Sequence, residues 1–254
     1  LKMMLLKRSC IVATTLLMGM AFTHQAVAAI ALDRTRVIFN GAEKSISLNV
    51  SNQNKDLPYL AQGWMENENG ERIESPLIVL PPIQRIEPGD KSQIKVQSLP
   101  DIAKLPQDRE SVFYFNLREI PPRSNKPNVL QIALQTRIKL FYRPASIYAS
   151  QTDLTNPWQE QITLTKKGDR FEVNNPTPYY VTLVDGLTSL KGKSLDGFEP
   201  LMIAPKSSGT INLSASMFGA SPVLSYINDY GGRPQMKFTC SGNQCKVTET
   251  AAGN

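Results

Sequence analysis

Two stretches decide the fold: SISLNVS at 45–51 and SVFYFNLR at 111–118. In the first, Ile46, Leu48 and Val50 alternate with Ser45, Ser47, Asn49 and Ser51; in the second, Phe113, Phe115 and Leu117 alternate with Tyr114, Asn116 and Arg118. Successive strand side chains point to opposite faces, so an apolar residue at every second position predicts a strand with one buried face. Working outward, strand-like runs fall at 30–38, 58–66, 77–86 (interrupted by Pro81-Pro82), 91–97 and 129–142. No amphipathic helix of useful length competes with them. Asn40-Gly41, Asn69-Gly70, Pro88-Gly89 and the segment IPPRSNKPN at 120–128 supply the turns between them. About seven short strands at this spacing predict an immunoglobulin-like sandwich.

A second set of runs follows Arg143-Pro144, at 159–166, 169–175, 178–185, 198–204, 208–213, 223–230, 234–240 and 244–248. The expectation is an all-β chain of two sandwich domains, 29–147 and 148–254, joined within 143–151. No internal sequence repeat links the halves.

The first 28 residues read differently. Lys2, Lys7 and Arg8 precede an apolar run from Ile11 to Phe22, which ends at Ala26-Val27-Ala28. That is the pattern of a secretory signal peptide with a small-residue cleavage site, and its apolar run is too short to span a bilayer. The expected product is exported, with no integral membrane segment. Removing 1–28 takes three of the 28 basic side chains and none of the 22 acidic ones, leaving a formal charge of +3. No run of Lys or Arg interleaved with aromatics appears, so a nucleic-acid partner is not expected.

Removal of that segment also takes His24 and Cys10, leaving no histidine. Ser-His and Cys-His nucleophilic pairs and His-containing zinc sets are then excluded, and neither a metal nor a cofactor is expected. The remaining cysteines, Cys240 and Cys245, have four residues between them in an exported chain, which predicts a disulfide closing a hairpin; a two-thiolate metal site would lack its other ligands. A carbohydrate-active enzyme would need two facing carboxylates in a cleft. Glu66 with Glu68, or Asp108 with Glu110, are the available pairs, and nearness in sequence is weak evidence for either.

The segment NVLQIALQTRIKLFYRP at 128–144 is unusual, with about 14 strand-like residues where about 5 or 6 are common. Leu130, Ile132 and Leu134 share a parity with Thr136 and Ile138, whereas Lys139 has the other. Periodicity allows two readings: a central strand whose even positions line the core, or an edge strand that adds to another protein's sheet. Arg36 and Lys139 pose a parallel choice between solvated charges and a pair that together binds a carboxylate.

Several segments taken in order carry a resemblance: LDRTRVIFNG at 32–41, LPYLAQGWMENENG at 57–70, PPIQRIEPG at 81–89, LPQDRESVFYFNLREIPPRS at 105–124, and the 128–144 segment itself. NPTPYYVT at 175–182 and LSYINDYGGRP at 224–234 extend it through the second half. Together they resemble the periplasmic chaperones of usher-assembled pili, nearest the P-pilus type. The resemblance implies a boomerang of two immunoglobulin-like domains without enzymatic activity, located in the periplasm. Pilus subunits and an outer-membrane usher are the implied partners, with self-association of the free chain as a further possibility.

Carried over residue by residue, the resemblance implies that Arg36 and Lys139 anchor the C-terminal carboxylate of a subunit. Leu130, Ile132 and Leu134 would be donor residues that complete the subunit's sandwich, and Glu110, Arg143 and Asp229 an interdomain ion network. The 120–128 loop is similar to that of the short-loop branch, which implies rod-like pili. The competing reading is a structural fimbrial subunit of the same system. Such a subunit is usually a single incomplete domain with an early disulfide, whereas this chain has two domains' worth of strands and a late cysteine pair.

Overall fold

The computed structural model describes residues 28–125, 127–148 and 157–253; the signal-peptide reading of 1–28, with Cys10 and His24, therefore falls almost wholly outside the described residues. The first half contains β1 (Ile30–Leu32), β2 (Arg36–Asn40), β3 (Ser45–Asn52), β4 (Tyr59–Glu66), β5 (Arg72–Ile73), β6 (Leu77–Leu80), β7 (Ile83–Ile86), β8 (Lys91–Ser98), β9 (Ser111–Ile120) and β10 (Gln135–Arg143). They form two sheets, one in the order β1-β3-β8-β6 and the other β2-β10-β9-β4-β5, with β7 paired to β4. The alternating residues do what their period predicts. Leu48, Val50, Ile94 and Val96 from one sheet meet Phe115, Leu117, Ile138 and Leu140 from the other in a single core.

Three boundaries differ from the sequence reading. The 30–38 run is two strands in two sheets: β1 pairs antiparallel with β3, the chain crosses over at Asp33-Arg34-Thr35, and β2 pairs parallel with β10. The crossing is held by polar contacts that hydropathy does not register, with the Asp33 amide donating to the Asn49 carbonyl at 3.1 Å and the Asn49 side-chain amide to the Asp33 carboxylate at 2.8 Å. Pro81-Pro82 divides β6 from β7, and each belongs to a different sheet. Most consequentially, the long strand expected over 129–142 begins only at Gln135.

The second half contains β11 (Thr163–Lys167), β12 (Arg170–Asn175), β13 (Val181–Leu187), β14 (Leu201–Ile203), β15 (Ser207–Thr210), β16 (Val223–Tyr226), β17 (Gln235–Ser241) and β18 (Gln244–Ala251). Rather than two separate sheets, they make one hydrogen-bonded path, β14-β13-β16-β17-β18-β11-β12-β15, around a core that includes Leu164, Val173, Leu183, Tyr226 and Phe238. Register shifts at Leu183/Asp185 and Lys237/Phe238 interrupt the ladder, and such bulges bend and twist a sheet so that it can close over itself. Cys240 and Cys245 are direct cross-strand partners in the β17–β18 hairpin and are joined by a disulfide. Gly242, at φ +60°, takes the left-handed turn position there.

Candidate functional site

Strands β2 and β10 bring Arg36 and Lys139 together. In their parallel ladder the register runs from Lys139 opposite Arg36 to Arg143 opposite Asn40. Toward its start, β10 is paired to β9 alone, from Gln135 opposite Arg118 to Ile138 opposite Phe115. Among the described residues, the flank of β10 before Lys139 therefore has no ladder partner on the β2 side. Ile138 and Leu140 point into the core, which puts Lys139 between them on the outer face.

Both cations are half-buried, and neither forms an ion pair among the described residues. The Arg36 guanidinium lies 5.7 Å from the Phe141 ring centroid, and its Nη1 donates at 3.4 Å to the Ile227 carbonyl of the second half. Its Nε is buried without a hydrogen-bond partner. Burial pulls Arg36 below its ordinary pKa against the pull of the Asp229 and Glu110 carboxylates. Burial likewise lowers Lys139, and the nearby charges of Arg36 and Arg137 lower it further. An anion brought here would supply the countercharge and hydrogen bonds that both groups lack. Arg36 opens onto a cleft of about 360 Å³ between the halves, also lined by Arg34, Thr35, Tyr148, Asp229 and Tyr230. Gly231, at φ +84°, lets the second half approach closely, since a Cβ there would lie 2.7 Å from the Thr35 hydroxyl.

At the wall of this cleft Arg143 joins the halves. Its Nε donates to Glu110 Oε1 at 2.7 Å, and its Nη1 and Nη2 donate to the Asp229 carboxylate at 2.8 and 3.1 Å. The other Glu110 oxygen accepts from the Tyr180 amide at 2.8 Å. The guanidinium also lies over the rings of Trp158 and Tyr179, 4.8 and 5.0 Å from their centroids. Burial would depress Arg143, but two carboxylates more than reverse this and hold it above its ordinary value. Glu110 shares that one cation with Asp229, so burial prevails and pushes its carboxyl up to about 7. Trp158, Tyr179 and Tyr180 are absent from the sequence reading because ring stacking and a backbone amide carry no spacing signal.

Leu130, Ile132 and Leu134 are 85%, 64% and 38% exposed, and the neighbouring Val129 is 48% exposed. They do not line the core, and they lie before β10 rather than within it. The parity conflict with Lys139 therefore dissolves, because 128–134 is outside the ladder whose alternation fixes Lys139. A backbone bond from the Glu119 amide to the Leu134 carbonyl, 3.0 Å, is where this segment meets the sheet.

Three of the four carboxylates considered for glycoside chemistry are otherwise engaged. Glu66 accepts from Arg137 at 2.8 Å and from the Trp64 indole at 3.1 Å; Asp108 pairs with Arg109 and Lys206; Glu110 is buried against Arg143. No cluster of potential metal ligands occurs among the described residues. Nor does any helix have the length and apolarity to cross a membrane, among the described residues.

The chain is thus two β-domains flanking a cleft onto which an arginine without a carboxylate partner opens, with an open sheet edge beside it. Residues 29–148 match the family model of the pili and flagellar-assembly chaperone PapD N-terminal domain, and 157–238 that of the pili assembly chaperone PapD C-terminal domain. The chain belongs to the PapD family of pilus-assembly chaperones of the chaperone-usher pathway. It is 56% identical over 224 residues to the chaperone protein PapD of Escherichia coli, covering 87% of this chain and 91% of that one. It is 44% identical to the chaperone protein PmfD of Proteus mirabilis, covering 91% of each. Among solved structures, the periplasmic chaperone SfaE matches with a TM-score of 0.64 at 28% identity, over 88% of this chain and 98% of that one. A chain of the complex between the Salmonella enterica SafA pilin and the SafB chaperone matches with a TM-score of 0.68 at 25% identity, over 85% and 98%. The family is a class of chaperones and not of enzymes, and the match does not favour the fibre-subunit reading.

Proposed function

We propose that this chaperone captures pilus subunits in the periplasm by lending them the edge of β10 and the apolar segment before it, then delivers them to an outer-membrane usher. The observation that carries the reading is that the β2 ladder ends at Arg36 opposite Lys139, leaving the preceding flank of β10 open. A subunit strand continuing the line of β2 would run parallel to β10 and bring its C-terminal carboxylate to the two unpaired cations. Leu130, Ile132 and Leu134 would fill the groove that the incomplete subunit leaves exposed, while main-chain bonds satisfy both edges. The anchored terminus would set register, because a slip of one residue turns every side chain to the opposite face.

In this reading, domains 29–147 and 148–254 are oriented by Glu110, Arg143 and Asp229, which do not themselves touch the subunit. The short 120–128 loop, similar to that of the short-loop branch, goes in this reading with rod-like pili. When no subunit is present, self-association would cover Leu130 and Ile132. The complex of a relative with a pilin supports this choice of partner. The test is recovery of bound chains from periplasm, identified by mass spectrometry, for wild type and Lys139→Ala. Pilins should accompany the wild type and be depleted with the variant; equal recovery overturns the anchor.

A further inference from the structure

The inward alternation of β9 does not stop at its apolar residues. Phe113, Phe115 and Leu117 enter the core of the first half, and two positions on, with the same parity, comes Glu119. It is only 5% exposed. Its Oε2 accepts the backbone amide of Ile30, at the start of β1 in the opposite sheet, at 2.9 Å. Among the described residues no cation pairs with Glu119 and no donor reaches its other oxygen. Glu110, the other deeply buried carboxylate, has Arg143. A carboxylate taken out of water without a countercharge is costly. The backbone beside it is well held: Ile30 is buried and pairs with Asn52 in β3, and the Ala29 carbonyl accepts the Gln53 amide at 2.6 Å. The Ala29 nitrogen stands one residue before the amide that Glu119 binds, and consecutive residues are about 3.8 Å apart.

We infer that cleavage after Ala28 gives Glu119 its countercharge: the α-ammonium of the mature chain at Ala29 pairs with this carboxylate and latches β1 to β9. Hydrolysis of the Ala28–Ala29 amide consumes one water, leaving a carboxylate on the departing leader and an ammonium on Ala29. A charge then appears where the uncleaved chain has a neutral peptide nitrogen, at the end of the mature chain that the fold brings to Glu119. An ammonium carried on a longer tail would have to fold back, and each residue it ordered would lose conformational freedom. The first domain thus becomes fully stable only once its leader is gone, and the place of cleavage is itself a determinant of stability. The latch closes the chaperone's own sandwich and does not depend on how a subunit is held.

The experiment uses the full mature chaperone exported from its own precursor, with its first residue fixed by mass spectrometry, beside a form with Ala-Gly-Ser-Ser inserted between Ala28 and Ala29. The insert keeps the cleavage site, the terminal alanine and the net charge, and moves only the ammonium. In denaturant unfolding, the ratio of folded to unfolded protein should fall about 10- to 150-fold in the extended form, as expected for losing a charge-assisted hydrogen bond. In Glu119→Gln, which keeps an acceptor for the Ile30 amide, the same insert should cost almost nothing. A second measurement does not require that variant: the α-amine of the mature form, titrated through pH-dependent acylation of its N-terminal peptide, should hold its proton to higher pH than that of the extended form. A facing carboxylate raises the pKa of an ammonium, whereas burial alone lowers it. Equal stability of the two forms, an equal loss in Glu119→Gln, an amine that titrates no higher than in the extended form, or a mature chain beginning elsewhere than Ala29 would each overturn the latch.

Discussion

Arg36 and Lys139 stand opposite each other on the first rung of a parallel ladder, two cations packed side by side with no carboxylate paired to either. Such an arrangement is unfavourable in the free protein and favourable once an anion arrives. Each charge-assisted hydrogen bond contributes about 1.5–3 kcal/mol, so Arg36→Ala or Lys139→Ala should weaken subunit binding by about 10- to 150-fold. Equilibrium binding of a C-terminal subunit peptide measures this directly.

Lys139 should also oppose stability in the free chaperone. Its folded pKa lies below the ordinary value, so the destabilisation is present at neutral pH and relieved as pH rises toward that value. Lys139→Met should therefore raise the melting temperature at pH 7 while weakening capture as Lys139→Ala does. A lower melting temperature would show that the ammonium is stabilised by its surroundings.

Replacing Leu130, Ile132 or Leu134 by Ser should leave the free protein's melting temperature nearly unchanged, since all three are exposed. The loss should fall on the complex, about 1.5–3 kcal/mol for each side chain that the subunit fully buries. Denaturant unfolding of the free variants, set beside their subunit affinities, separates the two effects. A clear loss of free-state stability would return these residues to the chaperone's own core.

Arg143→Ala should cost about 3–5 kcal/mol, because it strands two carboxylates in a buried site. The cost should depend on pH. Burial sets the folded pKa of Glu110 at about 7, above the ordinary 4.5. Stability linked to its protonation is therefore fully present below about 4.5 and lost as pH rises through about 7. Without Arg143 the loss should steepen, so the variant falls furthest behind wild type above neutrality, and adding Glu110→Gln should flatten the difference. Unfolding free energies across pH 5–8 provide the check.

The Cys240–Cys245 disulfide closes a short loop, for which chain-entropy arguments give about 2 kcal/mol. Paired Ser replacements should lower stability by that order and leave peptide binding intact, because the hairpin is remote from the β2–β10 ladder. Denaturant midpoints with and without reductant, alongside peptide titration, measure both.

Much of this was legible from residue order alone. Period-two runs place most strands within a few residues and the cysteine spacing identifies the hairpin, whereas Pro81-Pro82 marks an interruption without revealing that the chain changes sheet there. The resemblance singles out Arg143, Glu110 and Asp229, which the fold brings into direct contact. Hidden features depend on partners distant in sequence. An alternating pattern at 30–38 does not reveal that Asp33-Arg34-Thr35 crosses between sheets, nor does one at 129–142 reveal that pairing starts at Gln135. For the same reason, neither cation's surroundings announce the other. Likewise, the runs of the second half do not reveal that its eight strands pair into one continuous path.

The crossover at Asp33-Arg34-Thr35 also acts as a ruler. It delays the entry of β2 into the second sheet, so the chaperone covers only the far part of its own β10 and keeps the near part vacant. Each residue of strand advances about 3.3 Å, so lengthening β2 backwards by two residues would move the stop by nearly 7 Å and shorten the berth accordingly. Under the proposed mode of capture, the length of guest strand that fits would thus be set at this crossover rather than on β10 itself.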